Sequence, residues 1–108
     1  MSKRTEQVSE LLREEINKII IKDFEPPRNT LISVAAVSVS PDLKIATAYL
    51  SIIPQNQLGS SLKIMKKFGS HIQRRLNKVL YIRQVPKIHW AIDERDLRYK
   101  EIEEALKE

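Results

Sequence analysis

The chain predicts a single-domain α+β fold in which a three-stranded sheet packs against helices. Three observations carry that expectation. Val8, Leu11, Leu12, Ile16, Ile19 and Ile20 recur at helical spacing near the start of the chain. Two runs, 31–40 and 44–53, fit strands and are separated only by Ser40–Pro41–Asp42 and its neighbours. A third alternation, Ile88, Trp90, Ile92, follows a long basic helical stretch.

Taken in order, residues 3–22 read as the first helix, with Glu6, Glu10 and Glu14 set against Arg13 and Lys18 on a mixed-charge outer face. Pro26 and Pro27 cannot continue it, so 23–29 is a linker of rather fixed shape. The first strand, 31–40, has Ile32, Val34 and Ala36 on one parity and Leu31, Ala35, Val37 and Val39 on the other, so both faces are apolar. Proline and aspartate at 41 and 42 are turn chemistry, the Asp side chain bonding the backbone two residues on. The second strand, 44–53, then returns antiparallel and stops at Pro54. Gln55 to Ser61 is a polar loop in which Ser60 or Ser61 is the natural helix N-cap. The helix after it meets Gly69–Ser70, a recognised kink pair, which predicts a bend or break near Phe68–Gly69–Ser70, giving two helices rather than one. The third strand holds Trp90 on its apolar side and His89 on the other. Ile102, Ala105 and Leu106 predict a short C-terminal helix or tail over 94–108, beyond an ordered core of about 4–93.

Composition narrows the function classes. A chain of 108 residues is one domain, and 42% hydrophobic residues suffice for one core. There is no cysteine, which removes disulfides, thiolate metal sites and cysteine nucleophiles and suits a reducing cytoplasm. Met1 to Ile16 holds no apolar run, so neither a signal peptide nor a membrane partner is expected. Two histidines eighteen positions apart, with no HExxH, nucleophile elbow, Walker loop or dinucleotide glycine pattern, argue against an enzyme and call for no cofactor. His89 with Asp93 and Asp96 reads as plain surface rather than a metal site.

The formal net charge is +5, and it is unevenly distributed. From Leu43 to Ile92 there is no carboxylate at all, yet the stretch carries Lys44, Lys63, Lys66, Lys67, Arg74, Arg75, Lys78, Arg83 and Lys87. On a helical wheel Leu62, Ile64, Met65, Phe68, Ile72, Leu76, Val79 and Leu80 fall within roughly half a turn. Lys63, Lys66, Lys67, Arg74 and Lys78 occupy the other half, and Arg75 lands near the apolar edge. A helix shaped only for solubility interleaves both signs, whereas like charges on one face repel and are relieved by a polyanion. Three readings stay open on this basis: an RNA binder, a general nucleic-acid binder, or a module docking an acidic protein. Trp90 reads as core; Tyr81, among basic residues, suits either packing or base stacking.

Several patterns together resemble the bacterial ribosome-binding factor A family. They are Ser40-Pro41-Asp42-Leu43-Lys44-Ile45-Ala46-Thr47-Ala48-Tyr49-Leu50-Ser51 across the hairpin and Arg83-Gln84-Val85-Pro86-Lys87-Ile88-His89-Trp90 into the last strand, with Arg4 to Ile16 and Pro27–Arg28 before them. The resemblance spans roughly residues 4–106. It implies a type II KH-like domain of order α-β-β-α-kink-α-β. It also implies a factor that binds the small (30S) ribosomal subunit and its 16S rRNA. Late maturation, including 16S rRNA 5′-end processing, and growth in the cold belong to the same implication. Apart from the resemblance, no exposed apolar stripe demands a dimer, so a monomer is expected, and the acidic termini suit solubility or contact with ribosomal proteins. The family replaces the GxxG loop of other KH domains by a kinked helix of pattern Ala-x-Gly. This chain has no GxxG, and its corresponding triplet, Phe68-Gly69-Ser70, has the glycine displaced by one and no alanine. On this reading Lys63, Lys67, Arg74 and Lys78 contact phosphates, and Lys66, Arg75, Arg83 and Lys87 extend the patch.

Overall fold

Residues 3–93 are described by a computed structural model; the predicted C-terminal helix over 94–108 lies outside the described residues. Helix α1 spans Lys3–Asp23, strands β1 and β2 span Leu31–Val39 and Ile45–Ile53, helix α2 spans Leu58–Val79, and strand β3 spans Lys87–Ile92. The sheet order is β1-β2-β3. β1 and β2 form the expected antiparallel hairpin, and β3 pairs parallel to β2. A parallel pair needs a long crossover, and α2 supplies it.

The core forms between the sheet and the apolar faces of the two helices, α1 packing chiefly on β1 and α2 chiefly on β3. Leu12, Ile16, Ile19 and Ile20 of α1 are buried, as are Leu58, Met65, Ile72 and Leu76 of α2. Between them lie Ala46, Ala48, Leu50 and Ile52, all fully buried and all on one parity of β2. Burying a Leu or Ile side chain is worth about 1.5–3 kcal/mol. The alanines give no such payload but are as fully buried as their larger neighbours.

Apolar residues on both parities of β1 have a simple origin. The pairing with β2 shifts between Val34 and Ala36, a bulge at Ala35. Ile32 and Val34 before it are buried, and after it the buried position moves to the odd parity, at Val39. An extra residue reverses which parity faces the core, so alternation fails across the strand as a whole.

Each edge strand is closed by an amide side chain from the helix above it. Asn17 of α1 donates from Nδ2 to the Val34 carbonyl at 3.1 Å and accepts from the Val34 N–H at 2.8 Å. Gln73 of α2 donates from Nε2 to the Pro86 carbonyl at 3.1 Å and accepts from the Ile88 N–H at 2.9 Å. Both side chains take the place of a further strand at a backbone edge that would otherwise be unpaired.

Two local expectations are corrected. Helix α2 starts at Leu58, directly after a 3-10 turn at Gln55–Gln57, and Gln57 makes no side-chain cap. Ser61 is buried inside the helix, and Ser60 Oγ donates back to the Gln57 carbonyl at 3.3 Å. Burial of Leu58 draws the helix start forward of the serines. The second correction concerns Phe68, Gly69 and Ser70, which do not divide the segment: α2 is one uninterrupted helix of 22 residues. Gly69 serves a packing need instead. A Cβ at that position would sit 2.7 Å from Trp90 Nε1, so the indole of β3 lies directly against the helix backbone.

Gly69→Ala should therefore lower stability even though alanine is favoured over glycine in a helix interior by about 1 kcal/mol. In a Trp90→Phe background the same substitution should become neutral or stabilising. Urea denaturation of the four proteins measures that coupling. An alanine that stabilises the wild-type background would show that Trp90 does not hold this position.

Candidate nucleic-acid interface

Seating α2 on β3 through Gly69 and Gln73 determines where the cations go. With Met65, Ile72 and Leu76 buried, Lys63, Lys66, Lys67, Arg74 and Lys78 are exposed, as the wheel predicts. Between α2 and β3 runs an open groove of about 560 Å³. Lys66 and Arg74 border it from the helix and Lys87 from the strand, over a floor that includes Gly69, Ile88 and Trp90. Ser70, Gln73 and His89 supply its other polar groups. Among the described residues no ion pair involves any of Lys63, Lys66, Lys67, Arg74, Lys78 or Lys87. The arrangement offers a concave strip of cations beside an aromatic ring, the combination that tracks a phosphate backbone while accommodating bases.

The eight cations named from the sequence divide into three sets. Lys66, Arg74 and Lys87 line the groove, and Lys63, Lys67 and Lys78 are exposed on the same helix. Arg83 borders a different cavity, with Arg4 of α1. Arg75 is drawn away: its Nε lies 3.6 Å from Asp23 Oδ2, at the end of α1. His71 Nε2 is 2.9 Å from the same oxygen. The ring of His71 stacks on Phe68 at 4.8 Å, and Phe68 meets Phe24 at 4.9 Å. Asp23 and Phe24 thus fasten the end of α1 to the middle of α2. The carboxylate missing from the basic stretch is provided here by another element, and it pairs with the cation that is turned toward α1.

Sequence reasoning missed Asn17 and Gln73, the groove-lining Ser70 and the Asp23 clamp. The amides sit at the borders of the apolar faces, where a wheel places them without distinguishing a buried bridge from solvated surface. Trp90, read as core, is partly buried and also forms part of the groove floor. Tyr81 is fully exposed, so the packing reading for it fails. His89 is exposed, as its parity predicts. Among the described residues no cluster of His, Cys, Asp or Glu could hold a metal, and no helix is long and apolar enough to cross a membrane.

The family model of ribosome-binding factor A matches residues 4–106. This chain belongs to the ribosome-binding factor A family. It is 33% identical over 96 residues to the ribosome-binding factor A of Chlamydia pneumoniae, covering 86% of this chain and 80% of that protein. The crystal structure of ribosome-binding factor A from Thermus thermophilus superposes with a TM-score of 0.70 at 16% identity, over 82% of this chain and 94% of that one. A homology model of the Thermus thermophilus factor, fitted into a cryo-EM map of its complex with the 30S subunit, gives a TM-score of 0.65 at 18% identity, over 80% and 91% of the two chains. The fold shared with these structures is KH-like, as the resemblance implied, with one continuous helix where two were expected.

Asp23 yields a test of the clamp. Its carboxyl is held below the usual carboxylate range, first by the hydrogen bond from His71 and further by the charge of Arg75, against an opposing cost of desolvation. A lowered folded-state pKa contributes stability that is present above the unfolded value, about 3.9, and is lost as pH falls through the folded value. Asp23→Asn should be less stable than wild type at pH 7, and the difference should shrink progressively as pH falls below about 3.9, the unfolded value. Denaturation midpoints across this range check it; a gap that persists at low pH would mean that the carboxylate charge is not what the clamp uses.

Proposed function

We propose that this protein is a non-enzymatic maturation factor that binds the small (30S) ribosomal subunit through its 16S rRNA. In this reading it assists late assembly, including 16S rRNA 5′-end processing, and supports growth in the cold. The supporting observation is a strip of cations along the α2–β3 groove, unpaired among the described residues, in a chain of the ribosome-binding factor A family. The Thermus thermophilus factor of the same fold forms a complex with the 30S subunit, which favours that partner for this chain as well.

In this reading Lys66, Arg74 and Lys87 hold phosphates of a strand lying in the groove. Lys63, Lys67 and Lys78 hold the adjacent backbone. Such contacts position the domain without reading sequence, so selectivity for the subunit rests on the shape of the rRNA. Arg75 has no part in it while it faces Asp23, and Arg83 belongs to a separate surface. No carboxylate or nucleophile takes part, and no chemical step is assigned.

Replacing Lys67, Arg74 and Lys78 together by glutamate should abolish co-sedimentation with small subunits while leaving the circular dichroism spectrum intact. For wild type, log affinity for a 16S rRNA transcript should fall linearly with log salt, by about 0.7 per single-strand phosphate neutralised. Arg74→Gln alone should flatten that slope by about one such unit. Undiminished co-sedimentation of the triple variant at low salt would refute the reading.

A further inference from the structure

A second cavity lies away from the groove, where the first turns of α1, the β1–β2 turn and the α2–β3 loop meet. Its volume is about 390 Å³, within the range of small-ligand sites, ~300–1,000 Å³. Val8, Leu43 and Ile82 give it apolar walls, and each is partly buried against the core. Leu43 is held there by the turn itself, at φ 62°, a left-handed conformation that leucine seldom adopts. Arg4 and Arg83 border the same cavity from two different elements, and neither has an ion-pair partner among the described residues. Asp42 also lines it, but its Oδ1 is occupied by Ser40 Oγ at 2.6 Å and the Lys44 N–H at 3.1 Å. Neither of these two bonds uses Asp42 Oδ2. Tyr81, which precedes Ile82, is fully exposed.

Apolar walls, two guanidinium groups without an ion pair among the described residues and one further acceptor match the chemistry of a nucleotide. A base presents two flat apolar faces and N–H donors on its edge, and its phosphate accepts the forked bonds that arginine makes. We propose that this cavity is a second RNA subsite, receiving one unpaired nucleotide with its base against Val8, Leu43 and Ile82 and its phosphate on Arg4 and Arg83. Asp42 Oδ2 accepts from the edge of the base, and Tyr81 provides a stacking face for a neighbouring base. The inference rests on the rRNA-binding reading and adds to it. A strand in the α2–β3 groove would be held mainly by its phosphates, whereas this site selects a nucleotide that is already extruded.

The test has two arms. In the first, AMP, CMP and inorganic phosphate are titrated separately into wild-type protein, and methyl NMR signals of Val8, Leu43 and Ile82 are followed. The nucleotides should shift these methyls and inorganic phosphate should not. Absence of nucleotide shifts, or equal shifts with phosphate alone, overturns the proposal. In the second arm Val8→Trp, which fills the cavity without removing a cation, is compared with wild type for binding a 16S rRNA transcript. With circular dichroism unchanged, affinity should fall about tenfold and the salt slope should flatten by about one phosphate contact, the one held by Arg4 and Arg83. A Val8→Trp protein that folds and binds as wild type does also overturns it. Failure of wild type to bind the transcript at all counts against the rRNA reading itself, and the nucleotide titration still decides the cavity.

Discussion

The contact between α2 and β3 is the constraint on which the rest of the molecule depends. A parallel edge strand exposes N–H and C=O groups that must be satisfied, and here Gln73 meets both a donor and an acceptor of the segment entering β3. Four residues earlier on the same helix, Gly69 lets the Trp90 indole approach to a distance that any side chain at that position would obstruct. Bridge and notch together set the height and rotation of α2 on the sheet. Rotation of a helix decides which of its residues face water, so these two uncharged positions place Lys66 and Arg74 across from Lys87. Asn17 performs the corresponding task for α1 on β1, and the fold is closed at both edges by the same device.

Charge follows from that geometry. Six cations end up exposed and without carboxylate partners among the described residues, a cost in self-repulsion that a polyanion would remove. Arg75, only one position from Arg74, is rotated by about 100° toward α1 and meets Asp23. A single residue step thus separates a cation available to a ligand from one used to fasten helices together. The Phe24–Phe68–His71 stack backs the same fastening with apolar contact. Because Asp23 and Phe24 lie at the end of α1, the position of the basic helix is tied to both strand edges and to the other helix.

Much of the fold was legible because its signals are local. The period of Val8, Leu12, Ile16 and Ile20 follows from helix geometry alone, and the Ser40–Asp42 turn forms the side-chain bonds that its residue types imply. The division of α2 at Gly69–Ser70 failed because glycine has two uses that a sequence does not tell apart, backbone freedom and absence of a side chain. The N-cap was misplaced for a similar reason: Ser60 and Ser61 have the right chemistry, but burial of Leu58 outweighs a cap.

What the chain by itself determined was the order and identity of the elements, the absence of carboxylates from Leu43 to Ile92 and the one-sided charge of α2. These depend on neighbours a few residues apart, where spacing is read directly. Only the tertiary structure decided how the cations are grouped, since Lys87 joins Lys66 and Arg74 across a strand-to-helix contact, Arg83 joins Arg4 across the loops, and Arg75 is withdrawn by Asp23. Those pairings link positions far apart in sequence, and they exist because buried apolar faces fix the rotation of each helix before any charge is placed.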